Sequence, residues 1–129
     1  MLAKAVQIIG VLAFLVENAF AACAITPDGA GHVEIPNTMT TIASSAFLSC
    51  TALRTVSFQT GGTGLTAIGT YAFQKSGLTT FELPNTVTLI DDFAFYQCGT
   101  HIGNLATFTF ATGSTLATIG VSAFSYTDL

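Results

Sequence analysis

Apolar residues recur along the chain in one six-residue phrase, Ile-x-x-x-Ala-Phe. The phrase occurs four times, with its Phe at positions 47, 73, 95 and 124, so the copies are 26, 22 and 29 residues apart. Periods in the twenties are typical of solenoids, in which each unit needs a neighbour to bury its apolar face. The pattern therefore predicts a repeat solenoid. Its predicted core residues are Ile42, Phe47, Ile68, Phe73, Ile90, Phe95, Ile119 and Phe124.

A short alternating stretch follows each of the first three copies. Polar and apolar residues alternate over 55–58, 80–83 and 107–110, and residues 32–35 repeat this pattern ahead of the first copy. A period of two sends successive side chains to opposite faces of a strand. The apolar set then faces the core, and parallel stacking gathers the polar set on one outward surface. These predicted surface residues are His32, Glu34, Thr55, Ser57, Thr80, Glu82, Thr107 and Thr109.

Two kinds of turn end the predicted strands. Pro36 and Pro84 follow the first and third strands, whereas Gly-containing turns at 59–62 and 111–113 follow the others. Proline carries no backbone N–H, so it ends a hydrogen-bonded ladder. The two turn chemistries therefore alternate along the stack.

The recurring phrase has a packing explanation. Phe fills a narrow coil, and the small Ala before it lets the backbone approach the neighbouring coil. Gly69 and Gly120 come directly after the Ile of the second and fourth copies. We expect them to turn the chain into a short helical or irregular segment.

Residues 35–56 read Ile-Pro-Asn-Thr-Met-Thr-Thr-Ile-Ala-Ser-Ser-Ala-Phe-Leu-Ser-Cys-Thr-Ala-Leu-Arg-Thr-Val. This stretch resembles the BspA-type leucine-rich repeat, whose phrase is roughly I-P-x-x-V-T-x-I-G-x-x-A-F-x-x-C-x-x-L-x-x-V. The resemblance covers residues 32–129, with Ser76 and Thr127 in place of the family Cys. It implies a right-handed leucine-rich-repeat coil with a parallel β-sheet and short helical or irregular segments. It also implies a place on surface proteins that adhere to or recognise partners.

The first 22 residues have the pattern of a secretory signal peptide. Lys4 precedes an apolar run over 5–16, and Ala-Phe-Ala at 19–21 fits a cleavage site. An amphipathic helix that caps the first repeat is the alternative. Phe-Ala-Ala-Cys at 20–23 also resembles a bacterial lipobox, which would place a lipid anchor on Cys23. We therefore expect export, with 23–129 forming a solenoid of about four repeats and no membrane span in the mature chain.

The sequence stops at Leu129, just before another strand is due, and no polar cap follows. Solenoid ends normally carry caps. We expect a chain truncated at its C-terminal end; the alternative is an open end that another molecule covers.

Charge excludes two classes of partner. The chain has 3 basic and 7 acidic residues, a net charge of -4, and only 8% charged residues. Beyond residue 22 its cations are Arg54 and Lys75. Binding to nucleic acid or to an anionic membrane needs clusters of Lys and Arg, so we expect neither.

The three cysteines carry no zinc-site spacing. Cys50 and Cys98 occupy equivalent positions two repeats apart, near ~10 Å for strands spaced ~4.8 Å, which is too far for a disulfide. We expect both to be free and buried. A pairing of Cys23 with Cys50 of the first coil stays open, because the sequence spacing does not decide it.

Residues that could support catalysis or metal binding are few. His32 and His101 lie in different units without a nucleophile aligned by spacing, and His101 falls in an insertion after Cys98. Asp91 and Asp92 are adjacent acids, fewer than a calcium site needs. We therefore expect no enzyme, no cofactor and no metal.

The sequence thus favours a secreted or cell-surface recognition or adhesion module that binds a protein or surface glycan through its strand face. Two alternatives are a structural spacer within a larger surface protein and an ice-binding Thr array. The array would comprise Thr40, Thr66 and Thr88, but Ala117 interrupts it.

Overall fold

The computed structural model describes residues 23–61, 64–99 and 105–129. In these residues the chain forms a β-solenoid of about 3 turns with parallel sheets and no helix. No helix of the described part is long and apolar enough to cross a membrane. The predicted signal segment 1–22 and His101 lie outside the described residues, and so remain predictions. The strands are β1 (His32–Ile35), β2 (Thr41–Ile42), β3 (Thr55–Phe58), β4 (Ala67–Ile68), β5 (Thr80–Leu83), β6 (Leu89–Ile90), β7 (Thr107–Phe110) and β8 (Thr118–Ile119).

Each coil contributes one four-residue strand and one two-residue strand. The four-residue strands have the predicted bounds, but they pair as two separate sheets, β1-β3 and β5-β7. The two-residue strands form one continuous parallel sheet in the order β2-β4-β6-β8. This second sheet was not predicted, because two residues are too few to show alternation. The expected single strand surface is therefore divided between β3 and β5.

The segment around Ala-Phe is an irregular ladder of turns. Ala46 N–H donates locally to the Ala43 carbonyl (3.1 Å), whereas Phe47 N–H donates to the Ala72 carbonyl of the next coil (2.7 Å). This alternation recurs in later coils and requires left-handed backbone at two positions per coil. That conformation is unfavourable by roughly 1–2 kcal/mol for each non-glycine residue, and the inter-coil hydrogen bonds offset it. The residues are Ser45, Ser49, Tyr71, Lys75, Phe93, Gln97, Ser122 and Tyr126, with φ from 51° to 61°.

A stack of phenylalanine rings runs through the solenoid. Phe47, Phe73, Phe95 and Phe124 stack in sequence with centroid separations of 5.1, 5.0 and 5.2 Å. Phe81 meets this stack edge-on at Phe73 and Phe95. Because each ring comes from a different coil, the stack buries apolar area only when the coils are assembled. Of the predicted core residues, Ile42, Phe47, Ile68, Phe73, Ile90 and Phe95 are buried.

The two ends of the described solenoid differ. At the first coil, Ala24 N–H donates to the Ala46 carbonyl (2.7 Å), so the segment after residue 22 covers that end. At the last coil, Ile119 is 53% exposed and Phe124 is only partly buried. Placing Ile119 in the core was therefore wrong, because no described coil packs against its outer side.

Cys50 is not free, contrary to our expectation. It forms a disulfide with Cys23, with Cα atoms 5.3 Å apart. The spacing argument compared equivalent repeat positions, and Cys23 comes from the covering segment instead. The disulfide occupies the sulfur that a lipid thioether would use, so the alternative of a lipid anchor at Cys23 is incompatible with this structure.

Cys98 is free and buried, as predicted. Its sulfur lies 3.3 Å from the Ser76 hydroxyl. Burial raises the pKa of Cys98 to about 12. Since the thiolate is the reactive form, this cysteine is inert near neutral pH.

Gly69 leads into an irregular turn segment, as expected, and it also has a packing role. Its φ is not positive, and what it allows is a close approach between coils: a Cβ there would lie 2.7 Å from Ser44 N of the preceding coil. Because backbone atoms cannot move aside easily, we expect Gly69→Ala to lower the free energy of unfolding by about 1–3 kcal/mol. Urea denaturation measures this. Gly29→Ala is the control, since a Cβ there meets nothing within 4 Å; an equal loss in both variants would contradict the explanation.

Candidate functional site

His32 links the first two strands of the predicted surface. Parallel pairing places it opposite Thr55 and places Glu34 opposite Ser57. Its Nδ1 lies 2.8 Å from Thr55 Oγ1, and its Nε2 lies 2.9 Å from Ser57 Oγ. The Asp28 carboxylate accepts the His32 backbone N–H at 2.9 Å, which holds the pKa of Asp28 below its usual value. The imidazole is thus held in place by hydroxyls on the neighbouring strand.

This cluster includes a serine hydroxyl beside an imidazole, a pairing that sequence spacing alone did not show. In hydrolytic triads the second ring nitrogen faces a carboxylate that fixes and stabilises the imidazolium. Here it faces the neutral hydroxyl of Thr55. The contacts of His32 therefore join β1 to β3 without assembling a triad.

The second half of the surface is built by β5 and β7. Their register places Thr80 opposite Thr107 and Glu82 opposite Thr109. All four residues are exposed. Thus the predicted residues do come together in two groups of four, and neither group is needed for the core.

The two groups are separated because β3 and β5 do not pair as a sheet, and Pro84 explains the absence of the last hydrogen bond of that ladder. In the paired sheets, the residue that follows the second strand closes the ladder: Gln59 N–H donates to the Ile35 carbonyl, and Ala111 N–H donates to the Leu83 carbonyl, both at 3.0 Å. The equivalent donor toward the Phe58 carbonyl is residue 84, and proline has no N–H. The Phe58 carbonyl consequently has no ladder partner on the β5 side.

A groove lies where this ladder fails. It has a volume of about 370 Å³. Its lining combines apolar surface with one carboxylate. The lining residues are Val56, Ser57, Phe58, Glu82, Pro84 and Ala111. Sequence analysis identified Ser57 and Glu82 as surface residues, but it expected an unbroken sheet and therefore missed the groove.

The strand surface is anionic. Glu34 and Glu82 are its exposed acids. The Arg54 guanidinium instead donates to the Leu53 carbonyl (2.9 Å), and Lys75 belongs to the turn ladder. Among the described residues no cation lines the groove.

The adjacent acids Asp91 and Asp92 accept hydrogen bonds from backbone N–H groups. Asp91 Oδ1 accepts the Asp92 N–H (2.9 Å), and Asp92 Oδ1 accepts the Val121 N–H (2.7 Å). Within the described ranges, no group of three His, Cys, Asp or Glu side chains could hold a metal ion.

The exposed threonine column forms hydrogen bonds between successive coils. The Thr66 hydroxyl donates to the Thr40 carbonyl (3.2 Å), and the Thr88 hydroxyl donates to the Thr66 carbonyl (3.3 Å). The hydroxyl protons of Thr66 and Thr88 therefore form hydrogen bonds to the preceding coil. The column is therefore a set of inter-coil contacts that Ala117 interrupts, and this does not favour the ice-binding alternative.

An aromatic strip on the turn segments was not predicted. Tyr71 stacks on Phe93 at 5.3 Å, Phe93 meets Tyr96 at 5.6 Å, and Tyr96 meets Tyr126 at 5.3 Å. Tyr71 and Tyr126 are exposed. Tyr71 and Phe93 occupy equivalent repeat positions, but Tyr96 and Tyr126 do not, so no regular spacing connects the whole strip in the sequence.

Comparison with known families gives one match. The model of the BspA type leucine rich repeat region matches residues 13–129, in six copies. No match was found among curated proteins or among solved structures. The family match covers most of the chain, including every strand described above. It begins within the predicted signal segment, so the boundary at residue 22 stays a prediction.

Proposed function

The chain belongs to the BspA-type leucine-rich repeat family, and on that premise we propose that it is an exported, non-catalytic recognition module. It binds a protein partner through the outward face of β1, β3, β5 and β7. The single observation that carries this proposal is the gathering of eight polar side chains, none required for the core, beside one another on these strands. Solenoids use such extended faces for binding.

The disulfide supports export. Disulfides persist in oxidising compartments and are rare in the reducing cytosol. The Cys23–Cys50 bond joins the segment that follows the predicted signal to the first coil. This arrangement fits a protein that folds after export, either secreted or held at a cell surface.

The hydrogen-bond geometry supports a non-catalytic role. His32 has a hydroxyl at each ring nitrogen. Cys98 is buried, and burial raises its thiol pKa to about 12, so it does not supply a nucleophile. Recognition by contact is the mechanism that these residues support.

We expect the double substitution Thr80→Arg with Thr107→Arg to weaken partner binding at least about tenfold, or about 1.4 kcal/mol. The two residues lie opposite each other, so the new side chains would cover the surface and offset the charge of its two acids. The binder is the tightest peptide that the full-length protein selects from an unbiased displayed library, and the affinity is measured by calorimetry.

A matched control places the same change on the other sheet. Thr41 and Thr118 are exposed residues of β2 and β8, and their replacement by Arg should leave the affinity within about twofold. Loss of binding in this control, with normal binding by the Thr80/Thr107 variant, would refute the strand-face site. A library that yields no binder would favour the spacer alternative.

A further inference from the structure

We propose that the groove between β3 and β5 binds the basic side chain of an Arg or Lys residue presented by the partner. This inference rests on the proposed function and specifies the chemistry that the strand face recognises. Three features carry it: the hydrogen-bonding groups at the groove, its apolar lining and the charge of the surface around it.

The polar groups at the groove call for a hydrogen-bond donor. The Phe58 carbonyl lacks a ladder partner on this side because residue 84 is proline. The Glu82 carboxylate is an acceptor only. The Ser57 hydroxyl already contacts the His32 imidazole. A guanidinium or ammonium group supplies donors alone and therefore matches a carbonyl beside a carboxylate.

The apolar lining fits the stem of a basic side chain. Val56, Phe58, Pro84 and Ala111 provide aliphatic and aromatic surface next to Glu82. Arg and Lys commonly bury their methylene stems along such surface while the charged head reaches a polar partner. The face of the Phe58 ring attracts a cation as well.

The groove accepts a side chain and excludes an inserted strand. At its closed end, Thr79 N–H donates to the Arg54 carbonyl at 3.0 Å, which ties β5 to β3. An added strand needs about 4.8 Å on each side, and this bond does not leave that space. The adjoining rings of Phe58 and Phe81 also remain 6.0 Å apart.

Charge complementarity favours a basic residue over an acidic one. The whole chain carries a net charge of -4, and Glu34 and Glu82 are the acids of this surface. A carboxylate in the groove would meet a carboxylate and a carbonyl oxygen. A cation would be attracted by both.

The test uses two heptapeptides, acetylated and amidated, of sequence Gly-Ser-Gly-X-Gly-Ser-Gly, in which X is arginine or its neutral isostere citrulline. Titration into the ¹⁵N-labelled full chain, followed by NMR, should shift the amides of Ser57, Phe58, Glu82 and Ala111. The citrulline peptide should bind at least tenfold more weakly. Equal binding of the two peptides, or shifts elsewhere, would overturn the proposal.

Two substitutions test the groove itself. Glu82→Gln should weaken binding of the arginine peptide at least fivefold, whereas Asp128→Asn, which removes an acid from the last coil, should not change it. Pro84→Ala supplies the missing N–H; the new amide should donate to the Phe58 carbonyl, exchange slowly with solvent and reduce peptide binding. Pro36→Ala is its control, since β1 has no strand before it in the described part of the chain.

The outcomes separate this proposal from the proposed function. Suppose that Glu82→Gln and Pro84→Ala bind the library-selected peptide like the unaltered protein, while the Thr80/Thr107 variant does not. The proposed basic-residue site in the groove is then refuted, and the proposed binding through the strand face is supported. Suppose instead that the arginine peptide occupies the groove, but the Thr80/Thr107 variant still binds the library-selected peptide. The basic-residue site is then supported, and the proposed binding through the wider strand face is refuted.

Discussion

Replacing Phe73 with Ala is expected to lower the free energy of unfolding by about 3–5 kcal/mol. Phe73 is fully buried and stacks on Phe47 at 5.1 Å and on Phe95 at 5.0 Å, while Phe81 meets it edge-on. Removing the ring leaves a cavity and breaks contacts with the coils on both sides. Since domains are stable by only about 5–15 kcal/mol, this substitution removes a large share of the total.

Urea denaturation followed by circular dichroism measures the loss. Tyr126→Ala provides the matched control, because it removes an aromatic ring that is 69% exposed. That change should stay within about 1 kcal/mol. Similar losses at both positions would show that the ring stack is not what joins the coils.

Breaking the Cys23–Cys50 disulfide should give the second large effect. The bond spans 27 residues of sequence. The loop-entropy relation then gives about 3.5 kcal/mol of stabilisation, because the cross-link restricts the unfolded chain. We expect Cys23→Ser with Cys50→Ser to lower the unfolding free energy by about this amount, measured in urea without reductant.

Reductant separates the disulfide from the side-chain changes. Dithiothreitol should lower the urea midpoint of the unaltered protein and leave that of the double variant unchanged. Both proteins retain Cys98, so any effect of reductant on its free thiol is the same in the two urea midpoints. A midpoint that does not respond to reductant in the unaltered protein would contradict the expected role of the bond.

The sequence predicted the elements that depend on regular alternation. The four longer strands occur at 32–35, 55–58, 80–83 and 107–110 as expected, because polar and apolar residues alternate along each of them; in β1 and β5 the apolar face is buried, and a register slip would expose it. The Ile and Phe of the repeated phrase are buried in the first three copies. Burial that recurs at equivalent repeat positions can therefore be recognised from the sequence.

The features that were missed depend on contacts between coils. The two-residue strands and the left-handed turn positions arise from inter-coil hydrogen bonds, which local propensity does not report. Residues such as Tyr71 and Phe93 adopt positive φ although neither is glycine. The partner of Cys50 also comes from a segment without the repeat spacing.

The groove was predictable in part. Pro84 was recognised as the end of a strand. Its effect on the preceding strand follows once the parallel register is known, because the N–H that it lacks is the one that closes the other two ladders. The hydroxyl partners of His32 likewise follow from the register that places it opposite Thr55.

The repeated phrase and the strand face have separate roles. The phrase supplies the ring stack and the inter-coil ladder, so its recurrence along the chain serves assembly. The polar strand positions are held in register by that assembly, and among them His32 adds side-chain hydrogen bonds between β1 and β3. Specificity is therefore expected on the strands and in the groove between them.

Chemical-shift mapping of the tightest library-selected peptide on the ¹⁵N-labelled chain tests this division most directly. The account predicts that the largest shifts fall on the amides of β1, β3, β5 and β7 and on the residues lining the groove. Largest shifts in the Ala-Phe turn segments, with the strand amides unchanged, would contradict it.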